Sequence, residues 1–290
     1  MSAPAPRANS RVTPPVIETR VELPWSRFVA IGDSFTEGVG DPEPRSPGGL
    51  RGWADRFAEV LSSHNPGLAY ANLAVRGKLI RQITEEQLAP AIDLQPDLVS
   101  VCAGGNDVIR PGSDPDVVAA QLEYLLRTLR DTDATVVVFT GVDVQFQPVF
   151  RSLRGKVAIY NENLRKVAAR HDCIVVDQWA LEELHDARYW ADDRLHLNAL
   201  GHHTIARAAL DALNVPHALA PLDPPPLPPR NWRRARSEDV VWARQHLVPW
   251  VIRRLTQQSS GDHISAKRPT PGPPTVTVSR DEAPPPSPRE

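Results

Sequence analysis

Arg27–Gly38, RFVAIGDSFTEG, is the stretch from which the fold is read. Phe28-Val29-Ala30-Ile31 is a short apolar run of the kind buried on both faces in a parallel sheet. Gly32 ends the run, and Asp33-Ser34 leads into Phe35-Thr36-Glu37, the start of a helical turn. A serine between the C-terminal end of a strand and a helix N-terminus sits where open α/β sheets place their ligands. The first N–H groups of that helix point into the same space. On these residues alone, Ser34 reads equally well as a helix N-cap or as a nucleophile.

Outward from this stretch, strand and helix patterns alternate. Gly52 to His64 carries Trp53, Phe57, Val60 and Leu61 at helical spacing. Leu68 to Val75 reads as a second strand, Leu79 to Leu88 as a helix with Pro90 near its end, and Leu98 to Ala103 as a third strand stopping at Gly104-Gly105. Asp114 can cap a helix over 114–130, with Pro115 at its first position and Val118, Leu122, Leu125 and Leu129 on one face. Ala134 to Thr140 is a β-branched central strand, Leu153 to His171 a helix, Cys173 to Asp177 a fifth strand, and Asn198 to Leu213 a closing helix. Alternating β and α elements with short links predict a mostly parallel sheet with helices on both faces. The domain is placed at 25–216.

Both flanks differ in composition. Thirty prolines in 290 residues is about twice average usage, and many lie outside the predicted core. Residues 1–24 are rich in Pro, Ala and Arg and are expected to be disordered. Pro216 to Pro229 holds seven prolines, so 217–230 reads as a stiff linker. Residues 231–257 regain pattern as a basic amphipathic helix, with Val240, Leu247, Val251, Leu255 and three tryptophans, kinked at Pro249. Its apolar stripe suits docking on the domain; tryptophan and arginine together also suit peripheral contact with a membrane surface. Residues 258–290 are expected to be a disordered tail.

A net charge of −2 gives no strong field for nucleic acid or anionic membrane. Cys102 and Cys173 lie in apolar runs, which fits packing in a reducing compartment better than a disulfide framework. No run of eighteen apolar residues predicts a transmembrane helix, and the first fifteen residues lack the apolar core of a secretion signal, so a cytoplasmic location is expected.

A serine nucleophile needs a base, a group that orients the base, and donors for the oxyanion. His196 lies before the last helix, at the strand-end edge that carries Ser34, and Asp193 three residues earlier can hold its imidazole in one tautomer. Gly77 follows the second strand and can expose its N–H at close range. Asn106 follows the third strand and can offer its side-chain amide. Taken singly, each has an ordinary explanation: a solvated Asp192-Asp193 loop, a surface histidine, a turn glycine, a turn asparagine. Together they surround one sheet edge. His202 and His203 are read as helix-surface groups, and His171 and His185 as surface residues. Gly-x-Ser-x-Gly fails because position 36 is Thr, and no phosphate-binding glycine loop follows a strand.

These residues form a recognisable set. The chain resembles the SGNH hydrolases, the GDSL-type lipases and esterases. GDSFTEG matches the family's first block, Gly77 the second, Gly104-Gly105-Asn106-Asp107 the third, and Asp193-Arg194-Leu195-His196 the fifth, over about residues 25–215. The resemblance implies an α/β, three-layer, flavodoxin-like fold with a mostly parallel five-stranded sheet. It implies Ser34, Asp193 and His196 as the catalytic triad. It implies the Ser34 N–H, the Gly77 N–H and the Asn106 amide as the oxyanion hole. The expected activity is hydrolysis of a carboxylic ester of an acyl lipid, lysophospholipid or acylated sugar, with no metal or cofactor. Two alternatives stand beside it: an acyltransferase using the same triad, and a non-catalytic binding protein acting through its basic C-terminal region.

Overall fold

A computed structural model describes residues 21–147, 150–226, 241–242, 244–245 and 261–274. In chain order the elements are β1 (Arg27–Gly32), α1 (Ser34–Glu37), α2 (Gly52–His64), β2 (Ala69–Asn72) and α3 (Ile80–Ile83). A wider π turn, Thr84–Leu88, carries α3 into α4 (Ala89–Asp93). Then come β3 (Leu98–Cys102), α5 (Gly105–Val108), α6 (Pro115–Arg130), β4 (Thr135–Phe139), α7 (Arg154–Arg170), β5 (Ile174–Val176), α8 (Ala199–Ala212) and β6 (Arg268–Gly272).

The sheet order is β5-β4-β3-β1-β2-β6, parallel except for β6. β1 is central, with Val29 paired to Ala71 on one side and Val99 on the other. Its apolar run is continuous because both faces are covered. Val29 and Ile31 pack with Leu122, Leu126 and Leu164 from α6 and α7, whereas Phe28 and Ala30 pack with Trp53, Phe57, Ile205 and Leu210 from α2 and α8. The aromatic side is closely packed: Trp53 and Phe139 rings lie 4.5 Å apart at a tilt of 51°, and Phe28 stacks on Tyr70 at 5.2 Å.

Helix starts follow their sequence signals. Asp114 accepts from the Asp116 N–H ahead of Pro115, and Asn198 accepts from the N–H groups of Leu200 and Gly201. The chain leaves β1 toward β2 on one side and later enters β3 on the other. The strand order therefore reverses beside β1, and the crevice outside the carboxyl ends of β1 and β3 is the topological switch point, where ligands of open α/β sheets bind.

The flanks correct two expectations, the strand count and the disordered tail. The sheet has six strands, not five, and the sixth comes from the tail expected to be disordered after residue 257. Arg268 pairs with Asn72 and Gly272 with Tyr70, while the alternating Pro269 and Pro271 offer no N–H to a further strand, a device that closes a sheet edge. Low hydrophobicity does not preclude this strand, because it is held by main-chain pairing and by the Arg268 cation over Tyr70 rather than by apolar side chains. The proline-rich segment to residue 226 is laid on the domain, with its carbonyls accepting from Tyr189 Oη (to Leu222 O, 2.9 Å) and Arg188 (to Pro225 O, 3.1 Å). Residues 1–20, 227–240 and most of 231–257 lie outside the described residues, including Val240, Leu247 and Val251. Of that last segment, Trp242 is described, with the Arg194 guanidinium 4.7 Å over its ring. No described helix is long and apolar enough to cross a membrane.

Candidate active site

The loops after β1, β2 and β3, on which Ser34, Gly77 and Asn106 lie, are tied together by Asn106, and the loop before α8, which holds Asp193 and His196, packs on Gly40 of the loop after α1. Ser34 is the first residue of α1. Asp33 caps that helix, its Oδ1 accepting from the Phe35 N–H at 3.1 Å, so Ser34 is released from the capping role that the sequence left open. Among the described residues, nothing accepts a hydrogen bond from the Ser34 hydroxyl, or from the N–H of Ser34 or Gly77. Gly77 has φ +76°, in the left-handed region.

Asn106 cross-links three loops. Its Nδ2 donates to Asp33 Oδ2 at 3.0 Å, in the loop after β1, and to the Lys78 carbonyl at 3.1 Å, in the loop after β2. Its neighbour Asp107 accepts from the Ile80 N–H at 3.1 Å, tying the same loops a second time.

The loop before α8 is built around Asp193. One carboxylate oxygen accepts the N–H groups of Leu195 and His196 at 2.9 and 3.0 Å, and the other meets His196 Nδ1 at 2.6 Å. The turn needs Arg194 at φ +56°, an uncommon conformation for a non-glycine residue. Burial works to raise the Asp193 carboxyl, but the hydrogen bonds and charge of His196 outweigh it and bring the carboxyl down to about 2. With Nδ1 on a carboxylate, the imidazole keeps its other nitrogen, Nε2, available as an acceptor. Gly40, six residues after Ser34, packs on His196 and Leu197. A Cβ at Gly40 would stand 2.1 Å from the Leu197 carbonyl oxygen and 3.1 Å from His196 Cβ, and φ is +99° there, so only glycine fits.

A family model described as the GDSL-like lipase/acylhydrolase family matches residues 30–204, a span that holds Ser34, Gly77, Asn106, Asp193 and His196. The chain belongs to that family. It is a carboxylic ester hydrolase of the SGNH type. Among solved structures, the hydrolase is similar to LAE5, described as an α/β hydrolase enzyme from the metagenome of Lake Arreo, Spain, at 25% identity and a TM-score of 0.56, covering 67% of this chain and 97% of that one. It shares its fold with Axe2, an acetylxylan esterase from Geobacillus stearothermophilus, at 22% identity and a TM-score of 0.54 over 67% and 96% of the two chains. A search of curated protein sequences finds no significant match.

Three supports of the hydrolase site were missed in the sequence. Glu37, buried in α1, accepts from the Arg76 N–H at 2.7 Å and from its guanidinium, clamping the residue next to Gly77 to the helix that begins with Ser34. The charged pair i to i+39 leaves no local trace. Gln147 Nε2 donates to the Arg194 carbonyl at 2.9 Å, steadying the strained turn from the loop after β4. His202, expected on the surface of α8, is fully buried instead. Its Nδ1 accepts from the Trp53 N–H at 3.2 Å and its Nε2 donates to the Val39 carbonyl at 3.2 Å, so it joins the starts of α2 and α8 to the loop after α1. Burial lowers its pKa to about 4, which keeps it neutral. The period of α8 does place position 202 inward, beside Ile205 and Ala209; its polarity hid that.

Beside the crevice lies a cavity of about 180 Å³. Asp33, Phe35 and Gly105 stand at its Ser34 side, and Val108, Phe139, Val142 and Val157 form apolar walls. Cys102 lines the same place, half-buried, and desolvation of its thiol raises the pKa well above the usual thiol range, so it packs as a small apolar group. Among the described residues, no group of three or more His, Cys, Asp or Glu is placed to hold a metal ion.

Proposed function

We propose that the hydrolase cleaves carboxylic esters through a Ser34–His196–Asp193 triad and an acyl-enzyme on Ser34. His196 Nε2 takes the hydroxyl proton as Ser34 Oγ attacks the acyl carbon. Asp193 holds Nδ1–H and balances the imidazolium that forms. The N–H groups of Ser34 and Gly77 stabilise the tetrahedral oxyanion, joined by the Asn106 amide once one of its two N–H bonds turns from Asp33 Oδ2 or the Lys78 carbonyl to the substrate oxygen. The alcohol departs with the proton from His196, and water releases the acid by the same steps in reverse. The single observation that carries this reading is the Asp193–His196 pair at 2.6 Å, packed through Gly40 against the loop that begins at Ser34.

The acyl group of the preferred substrate is a short aliphatic chain rather than acetyl alone. What supports this is the largely apolar cavity of about 180 Å³ lined by Asp33 and Phe35, the chain neighbours of Ser34, and by Gly105, the neighbour of Asn106. An apolar cavity of roughly 150 Å³ holds a benzene-sized guest, so this one suits an acyl chain of about six carbons. Each buried methylene contributes about 0.8 kcal/mol, or roughly fourfold in kcat/KM. A series of p-nitrophenyl esters should therefore gain about fourfold per methylene from acetyl upward and level off near hexanoyl. A maximum at acetyl would refute the acyl assignment, and no hydrolysis of any chain length would refute the triad.

A further inference from the structure

The segment Gly261–Gly272 lies outside the matched span 30–204, and the solved neighbours cover only 67% of the chain. It nevertheless touches the Gly77 loop and the loop between α1 and α2. We propose that this segment is a working part of the esterase site: it holds the Gly77 loop and the start of α2 in register, with Gly261 and Lys267 as positioning residues. The inference rests on the reading of Gly77 as an oxyanion donor.

The first contact is at Gly261. Gly261 is buried against the backbone of Arg76, the residue before Gly77. A Cβ added there would stand 2.1 Å from the Arg76 carbonyl oxygen and 2.9 Å from Val75 Cγ1. A backbone carbonyl cannot swing aside as a long side chain can. Arg76 is thus held from two sides, by Glu37 of α1 through its N–H and guanidinium and by Gly261 against its carbonyl. The peptide that links Arg76 to Gly77 carries the Gly77 N–H, so what fixes that carbonyl also aims that N–H.

The second contact is at Lys267. Its ammonium uses all three donors inside the domain: the Leu50 carbonyl at 3.0 Å, the Arg51 carbonyl at 3.2 Å and Asp55 Oδ2 at 2.5 Å. Its side chain is 2% exposed. The two carbonyls belong to the end of the loop that runs from α1 past Gly40 to α2, the loop that backs His196. Asp41 in that same loop accepts from the Gly52 N–H at 3.0 Å and pairs with Arg56. Between the two contacts and β2, Arg268 lies 5.4 Å over the Tyr70 ring, fixing the register of β6 on the strand that leads into the Gly77 loop.

A strand that only covered a sheet edge would need neither contact. Edge closure is satisfied by pairing and by the two prolines. The glycine against Arg76 and the triply bonded ammonium go further: one ends on the loop that carries Gly77, the other on the loop whose Gly40 packs against His196.

The test is the full-length Gly261→Ala protein, compared with wild type in three readouts. Hydrogen exchange over residues 74–79 should speed up at least tenfold, kcat for a p-nitrophenyl ester should fall by about tenfold to a hundredfold, the scale of a misplaced catalytic donor, and KM should stay within about twofold, because the oxyanion bond forms only in the transition state. Full-length Lys267→Met serves as the second variant, with faster exchange at 38–52 and a lower kcat in the fraction that remains folded. Unchanged exchange at 74–79 in Gly261→Ala would overturn the proposal. So would faster exchange with unchanged kcat, or a lower melting temperature with full kcat, since the segment would then be structural only. If wild type itself hydrolyses no ester, the triad reading fails, and the exchange arm alone decides whether the segment holds the Gly77 loop.

Discussion

His202 offers the sharpest quantitative test of the packing behind the site. The perturbation is His202→Gln, a neutral side chain that keeps a donor for the Val39 carbonyl and an acceptor for the Trp53 N–H. In the folded protein burial holds the imidazole at about 4, against an ordinary value of 6.5. A base with a depressed folded pKa takes up a proton more readily when unfolded. Its contribution to stability is therefore complete above pH 6.5 and lost as the pH falls toward 4. With those two values, linkage gives a loss of about 2 kcal/mol between pH 7.5 and pH 5, approaching about 3 kcal/mol below pH 4. Asp55 works against this in the same range, since burial beside Lys267 raises it to about 6 and its folded form gains stability as the pH falls. The wild-type curve alone mixes the two. The difference between wild type and His202→Gln isolates the histidine. Urea unfolding at pH 7.5 and pH 5 should show wild type losing about 2 kcal/mol more than the variant, roughly 1 M in midpoint. Parallel losses in the two proteins would mean that the imidazole titrates normally, and the buried, neutral bridge would be wrong.

Three further expectations concern the crevice. His196→Ala should lower kcat more than Asp193→Asn, because the histidine moves the proton while the carboxylate orients and balances it; equal losses in steady-state assays would contradict the division of roles. Asn106→Ala should lower kcat by about 10²–10³-fold with little change in KM, with the melting temperature checked alongside because Asn106 also ties the loops after β1 and β2; a pure KM effect would move it to substrate binding. The Asp193 carboxyl, held near 2 against an ordinary 3.8, contributes stability that is complete above about pH 4 and lost as the pH falls through 2. Asp193→Asn should flatten the acid limb of the unfolding curve in that window, and an unchanged limb would argue that the His196 contact does not hold the charge.

Much of this molecule was legible from residue pattern. The β1 run, the Asp114-Pro115 helix start and the Asn198 cap are local signals, and each element begins within a residue or two of where its signal stands. The positions of Ser34, Gly77, Asn106, Asp193 and His196 at strand ends and in the last loop also follow from local order. What escaped notice is long-range. Glu37 and Arg76 are ordinary surface residue types until the fold sets them 2.7 Å apart. His202 looks polar and is buried because its two ring nitrogens find backbone partners, a compensation that no hydropathy pattern reveals. β6 was hidden by composition: Arg268-Pro269-Thr270-Pro271-Gly272 carries almost no apolar surface, and its pairing partner lies about two hundred residues away.

The proposed mechanism depends on Ser34 as the nucleophile. It is tested most directly by treating the full-length protein with a fluorophosphonate and mapping the adduct by peptide mass spectrometry. One stoichiometric adduct is expected, on the peptide containing Gly32-Asp33-Ser34, with no labelling of a folded Ser34→Ala protein and slowed labelling of His196→Ala. An adduct on another serine, or full labelling and ester hydrolysis by folded Ser34→Ala, would contradict it.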